Sequence, residues 1–139
     1  MGTLSESERD DFLAGRRYGI FSTSRDNGIP ASVPVWFEWD GRVARMFTHV
    51  TTPKLIRLRR DPRAALLVVN HPDEKEQWVS LKGTVAVRDE GGLELAERLV
   101  PRYWLEGDPR AAALDAWRVM GDQWRLLELT PTTIRTYRD

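Results

Sequence analysis

Residues 47–63 read Phe-Thr-His-Val-Thr-Thr-Pro-Lys-Leu-Ile-Arg-Leu-Arg-Arg-Asp-Pro-Arg, and this stretch predicts a strand that passes directly into a helix. Pro53 favours a helix start, because its fixed backbone angle suits the first helical turn. Asp61 ends the helix, since the residue before Pro62 is driven out of the helical conformation. The strand end contributes Thr48, Thr51 and Thr52, and the helix contributes Lys54, Arg57, Arg59 and Arg60.

The start of this helix has the composition of an anion site. Unpaired backbone N–H groups and the positive end of the helix dipole favour an anion there. Hydroxyl groups and cations add charge-assisted hydrogen bonds. We therefore predict a phosphate site. A basic helix is also often only a solvated surface, and the Thr-Thr-Pro start favours the phosphate site over that alternative.

Positive charge is concentrated in this stretch, although the whole chain is neutral. The chain has 21 basic and 21 acidic side chains, so its formal net charge is zero. This balance argues against binding of nucleic acid or of an anionic membrane. The segment from Thr52 to Arg63 contains five cations and one carboxylate, Asp61, so its local net charge is +4.

Length and composition predict one cytoplasmic domain over residues 1–139. The chain contains no cysteine, which excludes disulfides and thiolate metal sites. It has no apolar run long enough for a signal peptide or a membrane span. Because a barrel of this size often completes itself by self-association, we expect a homodimer.

Patterns on either side of the opening stretch predict further strands and helices. Ser5 and Glu8 fit a capping box for a helix that ends at about Ala14. The predicted strands before the basic helix are 18–24, 29–39 and 42–48, with a hairpin turn at 26–28. Two prolines place strand 29–39 at an edge or a bulge. The predictions after the basic helix are a buried strand at 64–70, a long strand at 78–88, helices at 92–100 and 109–120, and one or two strands at 124–137.

Glycine and proline residues predict interruptions in the strands and helices of the second half of the chain. Gly83 predicts a bulge in the long strand, and Pro101 with Gly107 predicts a separation between the two late helices. Six or seven short antiparallel strands with a few helices indicate a small barrel with helical additions.

An ordered set of short motifs resembles the pyridoxamine 5′-phosphate oxidase-related split β-barrel family over residues 15–88. The motifs are Gly-Ile-Phe-Ser-Thr from 19, Asn-Gly-Ile-Pro from 27, Val-Pro-Val-Trp-Phe from 33, Trp-Asp-Gly from 39, Phe-Thr from 47, Thr-Pro-Lys from 52, Leu-Arg-Arg-Asp-Pro-Arg-Ala from 58 and Trp-Val-Ser-Leu-Lys-Gly-Thr from 78. The resemblance implies a mainly β (α+β) fold, a six- to seven-stranded antiparallel split β-barrel with short helices. It also implies FMN or the deazaflavin coenzyme F420 as cofactor.

The resemblance places the cofactor in a groove at a homodimer interface. It implies that the ring is held around Val35, Trp36, Phe47 and Thr48, that Thr52 and Lys54 meet the phosphate with Arg59 or Arg60 as further partners, and that Trp78 of either subunit lies at the ring edge. Arg57 departs from the family pattern, where many relatives have Asn. No catalytic residue is implied, because the cofactor carries the chemistry.

The function that follows is an oxidoreductase that transfers hydride or electrons to or from a small organic substrate. The extra cations Arg57, Arg60 and Arg63 favour F420 slightly, because its oligoglutamate tail is anionic. The alternative is a non-catalytic carrier of a flavin or haem with the same fold.

Other candidate residues have simpler interpretations. His49 and His71 lack the further ligands of a metal site, and Ser22, Ser24 and Ser80 lack the turn motif of a hydrolase nucleophile. Tryptophans on strands, here Trp36, Trp39 and Trp78, more often serve core or interface packing than cofactor stacking.

Overall fold

The structure, a computed structural model that describes residues 1–139, contains four short α-helices and seven strands. The helices are α1 (Glu6–Ala14), α2 (Pro53–Arg60), α3 (Gly92–Tyr103) and α4 (Ala113–Met120). The strands are β1 (Gly19–Ser24), β2 (Pro30–Val35), β3 (Glu38–Trp39), β4 (Ala44–His49), β5 (Arg63–Val69), β6 (Gln77–Arg88) and β7 (Trp124–Arg138). The predicted mainly β fold with short helices is confirmed. None of the helices combines the length and the apolar character that crossing a bilayer would require.

All seven strands form one antiparallel sheet in the order β2-β1-β5-β6-β7-β4-β3. β2 and β3 follow each other in the chain but lie at opposite edges, with only Trp36 and Phe37 between them. Two residues can join the edges only if the sheet curls on itself, which makes it a split barrel. The predicted continuous strand over 29–39 is therefore wrong, whereas its predicted edge position is confirmed for β2.

The core lies inside the curled sheet. In β4, Ala44, Met46 and Thr48 are buried, while the residues that alternate with them are half-buried. Helix α2 covers one opening of the barrel with Leu55 and Leu58. The start of α1 has the predicted capping box, in which the Ser5 hydroxyl accepts from the Glu8 N–H at 3.1 Å.

Strands β6 and β7 form the longest pair of the sheet, and their register shifts between Lys82 and Gly83. This confirms the predicted bulge. A Cβ atom at Gly83 would lie 2.0 Å from the carbonyl oxygen of Thr130 and 2.8 Å from the Cα of Pro131. The two backbones can approach this closely only because residue 83 has no side chain.

The late helices differ from their prediction. Helix α3 continues through Pro101 to Tyr103, so the predicted helix end at Pro101 is wrong. An interior proline costs about 3 kcal/mol, but here it lies in the last turn, and the buried Leu95, Leu99 and Tyr103 anchor the helix on either side of it. The next helix begins as a 3₁₀ turn at Pro109–Ala112 and becomes α-helical only at Ala113.

We expect Gly83→Ala to lower the free energy of unfolding by at least about 2 kcal/mol, because the methyl group would force the β6 and β7 backbones apart. Urea denaturation of both proteins measures the difference. Gly2→Ala is the matched control, since nothing lies within 4 Å of a Cβ there. Equal stability of the two variants would contradict the close approach at the bulge.

Candidate functional site

Strands β2 and β4, helices α2 and α4 and the end of α3 border an open cleft of about 310 Å³. The residues that line it are Tyr18, Pro34, Val35, Trp36, Phe47, Lys54, Trp104 and Trp117. Four of these, Val35, Trp36, Phe47 and Lys54, are among the residues predicted from the sequence. The structure thus brings together a predicted ring-binding part and a predicted phosphate-binding cation.

Aromatic rings form the walls of the cleft, with Trp36 at their centre. Its ring stacks on Tyr103, with centroids 4.9 Å apart and an interplanar angle of 3°. Trp104 meets Trp36 edge-on at 4.6 Å, and Phe47 and Trp117 lie 6.0 and 6.1 Å from it. A flat, apolar ring system is the ligand that such walls bind best.

Tyr103 fixes the inner wall. Its hydroxyl donates to the carbonyl of Arg17 at 2.6 Å and accepts the N–H of Phe37 at 3.2 Å. Burial raises the pKa of this hydroxyl, so it stays neutral and can serve as donor. Arg102 adds a hydrogen bond to the carbonyl of Leu13 at 3.2 Å, which holds the end of α3 against the end of α1.

Lys54 is the charged group of the cleft. Its side chain is half-buried, yet its ammonium group forms no ion pair and no hydrogen bond with the protein. Burial, and to a smaller extent the positive charge of Arg57, lowers the pKa of Lys54. An anion bound in the cleft would offset both effects, because it would neutralise the ammonium group and supply the missing hydrogen-bond acceptor.

The other cations of α2 divide into two groups. Arg57 donates through Nε to the Thr23 hydroxyl at 2.8 Å and has no carboxylate partner. Arg60 donates to the carbonyl of Ser24 at 2.7 Å and pairs with Asp26, whereas Arg59 is exposed and unpaired. A second depression of about 350 Å³, the arginine groove, is lined by Arg25, Asp26, Asn27, Arg57 and Arg60.

Helix geometry connects the cleft with the arginine groove. Lys54, Arg57 and Arg60 are spaced three residues apart on α2, so each lies beside the next in an oblique row that turns about 120° around the helix. Six residues of helix span about 9 Å. The row therefore leads from the cleft to the groove. Arg59, although predicted as a phosphate partner, lines neither of the two.

Two threonines before α2, Thr48 and Thr52, are joined by a hydrogen bond between their hydroxyl groups. The Thr52 hydroxyl donates to the carbonyl of His49 at 2.9 Å, and it lies 2.8 Å from the hydroxyl of Thr48, which is buried. Because the proton of Thr52 is used in this bond, Thr48 donates to Thr52. Thr52 does not cap α2. Its contact with a phosphate stays a prediction and requires the hydroxyl to rotate away from His49.

Trp78 lies outside the cleft in a single copy of the chain. It stands on the outer face of β6, where it stacks on Tyr137 at 6.0 Å and lies under the Arg135 guanidinium at 5.6 Å. The site residues that the sequence did not reveal are Tyr18, Pro34, Trp104 and Trp117. The six tryptophans of the chain were the available signal, but a helical pattern around Trp117 does not show which way its ring points.

The two histidines are engaged with neighbouring polar groups. His49 lies 2.9 Å from Gln123 Oε1 and 2.8 Å from the Thr51 hydroxyl, and His71 lies 3.0 Å from the carbonyl of Arg16. No three His, Asp or Glu side chains gather in a way that could hold a metal ion.

Fold and site together describe a split barrel with an aromatic, cation-bearing cleft. The family model for pyridoxamine 5′-phosphate oxidase matches residues 5–136, and the chain therefore belongs to this family. No curated protein matches the chain in sequence.

Solved structures with the same fold include three informative relatives. An F420 reductase has 23% sequence identity and a TM-score of 0.71, with 90% of this chain and 94% of that chain covered. The conserved hypothetical protein Rv2991 from Mycobacterium tuberculosis has 23% identity and a TM-score of 0.76, with coverages of 97% and 85%. A haem-binding protein from Mycobacterium smegmatis has 19% identity and a TM-score of 0.66, with coverages of 99% and 55%. These similarities concern the fold alone.

Proposed function

We propose that the protein is an oxidoreductase that binds F420 or FMN in the cleft and transfers hydride or electrons to or from a small organic substrate. The observation that carries this proposal is the half-buried, unpaired ammonium group of Lys54 at the edge of an aromatic-walled cleft. Family membership supports it. When bound, the flavin or deazaflavin would supply the redox chemistry itself.

The residues present fit such a cofactor. Lys54 offers a charge-assisted hydrogen bond to a phosphate, and Trp36 and Phe47 offer apolar faces to a flat ring. Backbone groups around Val35 would hold the polar edge of the ring. The cleft, at about 310 Å³, lies at the lower end of the range for small-molecule sites, about 300 to 1,000 Å³.

The row of cations on α2 favours F420 over FMN. FMN carries one phosphate, which Lys54 alone can meet. F420 carries a phosphate followed by an oligoglutamate tail, and the arginine groove begins about one helical turn beyond Lys54. Because Arg57 has no carboxylate partner within the chain, a carboxylate of the tail would be its first.

We expect Lys54→Ala to weaken cofactor binding by about 1.5 to 3 kcal/mol, the usual contribution of a charge-assisted hydrogen bond. Fluorescence titration with F420 and with FMN measures the change. The matched control is Lys82→Ala, an exposed lysine on β6, which should leave the affinity unchanged. Tight binding of neither cofactor to the unmodified protein would refute the proposed function.

A double change, Arg57→Gln with Arg60→Gln, tests the choice between the two cofactors. We expect it to weaken F420 binding about tenfold or more and FMN binding much less, because only F420 reaches the arginine groove. The deazaflavin alcohol without phosphate and glutamates serves as the ligand control. Equal losses for F420 and FMN would contradict a role for the groove in tail binding.

A non-catalytic carrier of a flavin or haem is the second candidate. Two observations favour it: the cleft is lined by no carboxylate and no histidine that could act as acid or base, and the fold is shared with a haem-binding protein. Reoxidation of reduced cofactor by quinone or nitroaromatic acceptors separates the two functions. An oxidoreductase accelerates this reaction above the rate without protein, whereas a carrier does not.

We also propose that two copies of the chain associate through the outer face of the sheet. Ile20, Leu67 and Val69 are 36%, 38% and 44% exposed there, and they lie in register with Trp78 and Tyr137 on the neighbouring strands. These five residues form an apolar strip, a feature that typically marks an interface. Association through this strip would bring Trp78 of the second copy toward a cofactor.

Sedimentation equilibrium is expected to give the mass of a dimer for the unmodified protein and of a monomer for Leu67→Glu, because the carboxylate would be buried without a partner. Cofactor affinity should fall in parallel if Trp78 contacts the ring from the second copy. Ile29→Glu, at a residue 59% exposed beyond the strip, is the control and should remain dimeric. A monomeric unmodified protein would disprove this association.

A further inference from the structure

The segment that carries α4 is weakly attached to the barrel. None of the residues of the 3₁₀ turn, of α4 or of the short turn Gly121–Gln123 is buried. Val119 is 88% exposed and Leu105, just before the segment, is 55% exposed. Elements with few buried contacts open at a small free-energy cost relative to the core of a protein.

Glycines with positive φ lie at both ends of this segment. Gly107 has φ of +86° and Gly121 has φ of +47°. No atom lies within 4 Å of the position that a Cβ would take at either glycine. Glycine has the widest range of backbone angles of any residue, and the open space beside both glycines suits them to the hinge positions of a moving segment.

One side chain holds the segment down. The Trp117 ring lies 5.8 Å from Phe47 and 5.6 Å from Trp124, and the Trp124 indole N–H donates to the Trp117 carbonyl at 2.9 Å. Trp117 also lies 5.5 Å from the ring of Trp104 at the end of α3, whereas the ion pair between Arg118 and Glu97 at 3.3 Å is exposed and contributes little. The residue that anchors the segment is thus also a wall of the cleft.

We propose that residues 107–121 form a hinged lid and that Trp117 is its specificity-determining side chain. When the lid lifts, a flat aromatic ring enters between Trp117 and Trp36, and the lid closes with Trp117 packed on the ring. Contacts of Trp117 with Phe47 and Trp36 are then replaced by contacts with the ligand. A ligand without a flat ring leaves these contacts uncompensated, so the lid selects flat aromatic molecules.

This inference rests on the proposed function in taking the cleft as the ligand site, but the opening of the lid can be measured without any ligand. In hydrogen exchange of the free protein, we expect the α4 amides to exchange about tenfold or more faster than those of α3. Added F420 or FMN should slow exchange in α4. If α4 is protected as strongly as α3 in the free protein, the lid is refuted.

Stopped-flow binding of F420 and FMN tests the role of Trp117. With the unmodified protein, the observed rate should level off at high cofactor concentration, because lid opening becomes limiting. For Trp117→Ala it should rise linearly, with faster dissociation as well. Val119→Ala changes the exposed face of the same helix and should behave as the unmodified protein.

The outcomes separate this inference from the proposed function. Indistinguishable kinetics of Trp117→Ala and the unmodified protein would overturn the role of Trp117. If neither cofactor binds, the proposed function fails, and the exchange rates of the free protein still decide whether the lid opens.

Discussion

The Tyr103 side chain joins the two edges of the curled sheet to the wall of the cleft. At the link between β2 and β3 the chain leaves one edge and reaches the other, so the N–H of Phe37 has no strand partner within the sheet. The Tyr103 hydroxyl accepts this N–H and donates to Arg17 before β1, while its ring stacks on Trp36. Because an unpaired buried N–H is costly, closure of the barrel and placement of the central aromatic ring depend on one residue.

The cations of α2 differ in how many partners the fold already gives them. In the sequence, Lys54, Arg57 and Arg60 look alike. In the structure, Arg60 is neutralised by Asp26 on the β1–β2 turn and Arg57 is bonded to Thr23 on β1, so both help to dock the helix. Lys54 alone points into the cleft without a partner. The unfavourable environment that lowers its pKa is the kind of local cost that marks a binding site.

The parts of the fold that the sequence predicted are those governed by local interactions. The Ser5–Glu8 capping box, the strand over 42–48 and the helix start at Pro53 each depend on residues within a few positions. The break at Trp36 and Phe37 was not predictable in this way, because the apolar pattern continues through it and only the curl of the whole sheet decides where the chain crosses. The helix end predicted at Pro101 is wrong for a related reason, because the packing of α3 outweighs the local preference of proline.

The residues of the cleft likewise form two groups, one that the sequence motifs predict and one that only tertiary packing brings to the site. Val35, Trp36, Phe47 and Lys54 belong to the strands and helix that carry the family motifs, and they were predicted as binding residues. Trp104 and Trp117 come from the segments after residue 90, and only tertiary packing brings them to the cleft. Under the proposed function, the first group holds the cofactor, Trp117 closes over its ring, and Trp104 faces whatever enters beside it. Changes around Trp104 would therefore alter the accepted substrate while the contacts that hold the cofactor stay the same, which is how one scaffold can serve many reactions.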